Sequence, residues 1–285
     1  MPHPLDGPRL KIARAKREID RLREAEKTFR TEAKYRVVRA ELNPQTGKYV
    51  HRFEITYFPP LDDWGVWVGE IVHNLRSALD ILVYQLARRN HAPTYLRDTQ
   101  FPIFRHRYTR QVTGRSVMGF EGHRNARAPA SGSGRKMIGR LRADHQARIE
   151  RLQPYRRNGG STNLGQRLNG RWNLLYRLSE LNNADKHRLI QVVGAKPGAG
   201  PMVAGWGEET DTEFRFMHAQ ILKNGTPIVE AGAKMHVDSD ILLLIAFAKG
   251  CEAVKFNGVC FVLSLIANHV DEIIESFAAA FRKSR

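Results

Sequence analysis

Apolar positions recur along the chain with two periods, and the changes of period mark its elements. Between residues 8 and 34, Ile12, Ala15, Ile19, Leu22 and Phe29 stand at 3-4-3-7 spacing. That is one seam of an amphipathic helix whose other faces are Lys, Arg and Glu. The seam predicts a helix laid on a bundle with its charged back in water; a coiled-coil partner is the alternative reading. Two stretches rich in β-branched and aromatic residues, 35–42 and 49–57, predict strands. Asn43-Pro44-Gln45-Thr46-Gly47 between them is a hairpin turn, and Pro59-Pro60 stops the second strand.

A long helix is expected over 62–89. Asp62 or Asp63 can cap it, and Val68, Leu75, Leu79, Leu82 and Leu86 form its apolar face. Phe101-Pro102-Ile103-Phe104 is a short apolar segment that docks on the core. Residues 113–135, with Ala128-Pro129-Ala130-Ser131-Gly132-Ser133-Gly134 and many Arg, read as a flexible insertion. A helix over 136–152, ended by Pro154, precedes a Gly/Asn-rich loop over 158–170. Another helix covers 172–185. Residues 187–249 alternate β-type runs with turns, among them the hairpin turn Lys223-Asn224-Gly225-Thr226, and a last helix covers 258–281. The sum is a single α+β domain over 1–285: a bundle of about four or five helices with an antiparallel sheet built from the 35–57 hairpin and the 187–249 strands.

Composition changes this picture in one respect. The formal net charge is +17, and of the 46 basic residues 33 are Arg and 13 are Lys. Residues 101–160 hold 14 Lys and Arg against 3 Asp and Glu, so most of the excess sits in about a fifth of the chain. A charge of this size favours polyanions; Arg usage raised by a GC-rich genome is the bland explanation. The expected nucleic-acid contacts are Arg105, Arg107, Arg110, Arg135, Lys136, Arg140 and Arg142. The first residues lack an export signal's apolar stretch, and the longest apolar run, 241–248, falls far short of a membrane span. A cytoplasmic location, no membrane partner and a homodimer are the accompanying expectations. The two cysteines, Cys251 and Cys260, stand in apolar surroundings and read as small core residues.

Two helices carry candidate chemistry. On the 62–89 helix, Glu70, His73, Ser77, Asp80 and Tyr84 form a 3-4-3-4 stripe opposite the leucines, flanked by Asn74 and Arg76. On the 172–187 segment, Tyr176, Glu180, Asn183 and His187 form a 4-3-4 stripe opposite Leu174, Leu175, Leu178 and Leu181. Solvated stripes in so basic a chain should be full of Lys and Arg, and these contain none. Short polar groups of definite geometry suit buried hydrogen-bond networks and active sites alike; a plain surface is the third reading. Matched stripes predict that the two helices are neighbours, with His73, Arg76 and Asp80 near Asn183 and His187. His73, Asp80, Glu180 and His187 are metal-ligand types. Yet Glu70 and His73 have di-iron Glu-x-x-His spacing on one helix only, so no metal or cofactor is expected. No Gly-x-Ser-x-Gly elbow and no phosphate-cradling Gly-x-x-x-x-Gly-Lys is present.

Four segments together resemble an uncharacterised family of bacterial and phage-associated proteins: Val72-His73-Asn74-Leu75-Arg76-Ser77-Ala78-Leu79-Asp80, Phe101-Pro102-Ile103-Phe104, Leu152-Gln153-Pro154-Tyr155, and Leu181-Asn182-Asn183-Ala184-Asp185-Lys186-His187-Arg188. The resemblance covers 55–195 and implies no particular activity. More distantly the chain is similar to HEPN-type helical bundles, often RNases of toxin or defence systems, whose signature is an Arg with a His four to six residues on. Arg140 and His145 have that spacing without the polar residue that usually follows the Arg; Arg177 and His187 are too far apart. The similarity implies an RNase or a degenerate relative. His73 or His187 would move protons, with Asp80 to orient a ring, Arg76 or Arg188 to steady phosphate charge, and Asn183 beside them. A non-enzymatic interaction protein with structural stripes, and a small-molecule or metal enzyme, are the alternatives.

Overall fold

The computed structural model describes residues 3–32, 35–55, 59–90, 99–124, 128, 130–157, 173–190, 192–195, 203–206, 215–216, 224–231, 236–239, 244–248, 253–254 and 257–281. The architecture is α+β, helices with small antiparallel sheets. The chain divides into two compact units. Unit 1 comprises residues 1–19, 67–189 and 262–285; unit 2 comprises 20–66 and 190–261.

Unit 1 is mostly helical. It takes the first half of α1 (Asp6–Glu32) and most of α2 (Leu61–Arg89). It also holds the β3–β4 hairpin (Arg110–Val112, Arg115–Val117), α3 (Gly134–Ile138), α4 (Ala143–Arg151), α5 (Pro154–Arg157) and α6 (Leu174–His187). The rest of it is most of α7 (Val259–Ser276) and a closing 3-10 turn (Ala278–Phe281). Its core is the apolar seam of α2, with Val68, Leu75, Leu79, Leu82 and Leu86 fully buried. Phe101, Phe120, Ile149, Leu178 and Leu181 are buried with them, as are Ile266 and Ile274 of α7. Two ion pairs and a lysine–amide bond tie α1 in place. Arg9 grips Glu275 at 2.7 Å, Lys16 meets Asp271, and Lys11 reaches Asn74, while Arg14 pairs with Glu18 one turn along the same helix.

Unit 2 holds the rest of α1 and the sheets. β1 (Tyr35–Leu42), β2 (Tyr49–Ile55), β8 (Thr226–Ala231) and β7 (Arg215–Phe216) make one antiparallel sheet in the order β1-β2-β8-β7. Two further pairs join β5 (Val192–Ala195) to β10 (Leu244–Phe247) and β6 (Val203–Trp206) to β9 (His236–Ser239). The β1–β2 turn forms where expected. Gly47 takes φ 66°, and the turn's Asn43 amide and Thr46 hydroxyl both donate to buried Glu230 at 2.6 Å. In α1, Phe29 packs edge-on against Trp64, and buried Glu26 accepts from Ile245 N–H. Burial, with Glu26 beside it, pushes the Cys260 thiol up to about 12, in keeping with an inert core residue.

Several boundaries differ from expectation for local reasons. The 136–152 helix is two helices, because Gly139 closes α3 and Arg142 opens α4. Ser133 caps α3 by accepting from Lys136 N–H. Pro154 opens α5, a first-turn position where a missing N–H costs nothing. The 172–185 helix begins at Leu174, where Asn173 accepts from Tyr176 N–H, and it extends to His187. Much of 113–135 is tied down: β4 pairs with β3, Phe120 is buried, and Arg135 forms two ion pairs. Cys251, the 158–170 loop, and parts of 113–135 and 187–249 lie outside the described residues. Among the described residues no helix is long and apolar enough to cross a membrane.

Candidate nucleic-acid interface

The two striped helices do meet. Gly69 of α2 faces Asp185 of α6 so closely that a Cβ at Gly69 would overlap the Asp185 carboxylate. What lies along the stripes is mixed. Asp80 is half-buried and held by Arg76 in a bidentate pair at 2.9 and 3.1 Å. Both then turn to one peptide: Phe101 N–H donates to Asp80 at 2.8 Å, and Arg76 donates to Phe101 C=O at 2.6 Å. Three residues on, buried Gln153 treats the same strand likewise. Its Oε1 accepts from Phe104 N–H at 2.9 Å and its Nε2 donates to Pro102 C=O at 2.8 Å. Residues 101–104 have no sheet partner, so these side chains satisfy backbone groups that would otherwise be buried without partners. Three of the quoted motifs therefore close on each other as a clamp, and Asp185 of the fourth sits against Gly69.

The other stripe residues differ in exposure. His73, Asn183 and His187 are exposed, as is Arg188 beside them, whereas Ser77, Tyr84, Tyr176 and Glu180 are half-buried; His73 Nε2 lies 3.3 Å from Ser77 Oγ. Among the described residues no group of three or more His, Cys, Asp or Glu is placed to hold a metal ion.

A different set of residues surrounds a cavity of about 410 Å³: Arg105, Arg107, Arg110, Arg124, Tyr108 and Tyr155, with His106 and Thr109 between them. Local structure explains the grouping. Residues 106–109 run beside 119–122, with Phe120 N–H bonded to His106 C=O, Glu121 N–H to Arg107 C=O and Thr109 N–H to Gly122 C=O. These bonds close the loop that the β3–β4 hairpin spans, outside the hairpin's antiparallel register. Gly119 permits the approach, since a Cβ there would overlap the Tyr108 backbone. The arginines are arranged on rings. The guanidinium groups of Arg107 and Arg124 stand 5.3 and 5.2 Å from the Tyr108 centroid, and that of Arg105 stands 5.0 Å from Tyr176. Burial, helped by Arg110 and Arg105, lowers the pKa of His106, so its imidazole is neutral near pH 7. Among the described residues no carboxylate lines the cavity; Glu121, 4.0 Å from Arg107 Nε, is held more tightly by Arg135.

Of the seven expected phosphate contacts, Arg105, Arg107 and Arg110 gather here. Arg135 is spent elsewhere: it bridges Glu121 at 2.9 Å and Glu150 at 2.8 Å over the Phe120 ring. Its proton is held above the ordinary range by the Glu121 bond. Arg156 completes this cluster on Glu150. Lys136 and Arg140 are exposed, and Arg142 lines a second cavity. Sequence reasoning missed Tyr108, Arg124, His106 and Tyr155. The alternation Arg-His-Arg-Tyr over 105–108 was the one local signal, and Tyr155 arrives only through the fold. Compared with family models, with curated proteins and with solved structures, the chain matches none.

Proposed function

We propose that the chain binds single-stranded nucleic acid, RNA foremost, on the face formed by residues 105–124 with Tyr155. The carrying observation is the cavity lined, among the described residues, by four arginines and two tyrosines without a carboxylate. Guanidinium groups match phosphate oxygens in pairs, and a tyrosine face accepts any base, so the combination suits a single strand whose bases are unstacked. Tyr108 carries the Arg107 and Arg124 guanidinium groups near its ring, and a base stacks there by taking the place of one of them. Neutral His106 adds a donor and an acceptor for a base edge or a ribose hydroxyl. Nothing in this reading requires cleavage. His73 and His187 are exposed, and Asp80 is committed to Arg76 and Phe101.

Filter binding of a labelled single-stranded RNA over a salt series tests the proposal. Four neutralised phosphates give a slope of about −3 in log affinity against log salt. Tyr108→Ala should cost about 1–3 kcal/mol of affinity through lost stacking. Absence of retention at low salt would refute the reading.

A further inference from the structure

Unit 1 contains a second basic cavity, of about 720 Å³, whose lining includes Arg89, Arg142, Asp144, His145, Arg148, Arg151 and Phe277. The arginines come from separate places. Arg89 ends α2, Arg142 is the residue that opens α4, and Arg148 and Arg151 stand one turn apart in its last stretch. We propose that this cavity binds a small molecule bearing a diphosphate, with the four guanidinium groups closing on its phosphate oxygens.

Charge is the first reason. Among the described residues lining the cavity four are arginines and one, Asp144, is a carboxylate, which Arg142 touches at 3.3 Å. Like charges gathered on one concave surface repel each other, and a ligand with about three negative charges relieves that repulsion. The Arg fork binds phosphate oxygens in pairs. Polar satisfaction is the second reason. His145 is only 8% exposed, its Nδ1 has no hydrogen-bond partner among the described residues, and its Nε2 stands 3.9 Å from Asp144. Nδ1 is shielded from solvent, so a ligand in the cavity satisfies it only by turning the His145 ring, which lines the wall. Arg142 opens α4 without a side-chain cap, so the first N–H groups of a nine-residue helix add to the positive end.

Shape is the third reason, and it favours a small molecule over a polynucleotide. The volume falls within the range of small-ligand sites. Phe277 gives the cavity an apolar wall, with the Arg148 guanidinium 4.8 Å from its centroid and His145 edge-on at 5.9 Å. The arginines ring one concave pocket, whereas a strand needs charges along a track. Burial chiefly, with Arg142, Arg148 and Arg89 nearby, lowers the pKa of His145 against the opposing pull of Asp144.

Calorimetric titration of the full chain with inorganic pyrophosphate and with adenosine diphosphate tests the proposal. Saturable binding is expected for at least one of them, at least about tenfold tighter than for sulfate at matched ionic strength. Tighter binding of adenosine diphosphate than of pyrophosphate identifies a nucleotide as the ligand; equal or weaker binding identifies a free diphosphate. Arg89→Gln and Arg148→Gln should each weaken binding by at least about tenfold. Asp144→Asn should tighten it severalfold, a gain that misfolding cannot mimic. Arg110→Gln, in the other cavity, should leave it within about twofold, and Arg148→Gln should leave RNA retention equally unchanged. Absence of saturable binding, wild-type affinity in both arginine variants, or weakening by Asp144→Asn would overturn the proposal.

Discussion

Two polar regions of unit 1 use the same residue types to opposite ends. Around 101–104, Arg76, Asp80 and Gln153 are matched donor for acceptor and spend their hydrogen bonds on a buried stretch of backbone. Around Tyr108, four arginines share a cavity with no acid among the described residues of its lining. A matched cluster holds a fold together, because every buried charge and amide finds a partner. An unmatched cluster raises the energy of the free protein and lowers it when a polyanion arrives. The contrast separates the motifs that look catalytic from the residues that have chemistry to spare. Asp80 and Arg76 look like machinery in the sequence and act as a clasp.

The clamp should fail most visibly when its buried member is removed. Gln153→Ala strands Phe104 N–H and Pro102 C=O and should cost about 3–4 kcal/mol in a urea melt, with the slope of the transition unchanged. Asp80→Ala leaves Arg76, whose side chain is 14% exposed, without its carboxylate and frees Phe101 N–H; about 2–4 kcal/mol is expected. RNA affinity measured on the folded fraction should be unchanged in both. Loss of binding by Asp80→Ala at full stability would move the clamp into the site and erase the contrast.

The interface side can be sharpened through its scaffold. Gly119→Ala drives a methyl group into the Tyr108 backbone and should cost about 1–3 kcal/mol, with RNA binding weakened because the ring is displaced. Exposed His73 and His187 should each tolerate Ala within about 0.5 kcal/mol, and circular dichroism with a thermal melt checks this. The smallest expected effect is a pH dependence. His145 has a folded-state pKa below its ordinary value of 6.5, chiefly from burial. Below that value the unfolded chain binds the proton more readily than the folded one. The contribution to stability is therefore complete above about pH 6.5 and is lost as pH falls towards the folded-state pKa. Urea midpoints at pH 7.5 and 5.5 should differ less in His145→Gln than in the wild-type protein.

The helices were legible because burial writes a period into the chain. The α1 seam Ile12, Ala15, Ile19, Leu22 and Phe29 is buried at every position, and so is the α2 seam. The matched stripes led to the expectation that α2 and α6 are neighbours, but the contact is made by Gly69 and Asp185, which belong to neither stripe, and Asp185 lies on the face of α6 opposite its stripe. What the stripes do was not legible. A wheel shows which residues share a face but not that residues 101–104 cross it and take up Asp80. The cavities were hidden for the same reason. Charge density located the region, but nothing local distinguishes Arg135, which grips Glu121 and Glu150 at 2.9 and 2.8 Å, from Arg107, which stands 4.0 Å from Glu121 and lies over Tyr108. Nor does sequence bring Phe277 to Arg148 across a distance of more than a hundred residues.

The contrast is tested most directly by measuring RNA affinity of a variant carrying Arg105→Gln, Arg107→Gln, Arg110→Gln and Arg124→Gln, alongside its urea stability. The account predicts an affinity loss of at least about a hundredfold at low salt, a salt slope near zero, and stability within about 1 kcal/mol of wild type. Retention of wild-type affinity and slope by a folded quadruple variant would contradict it.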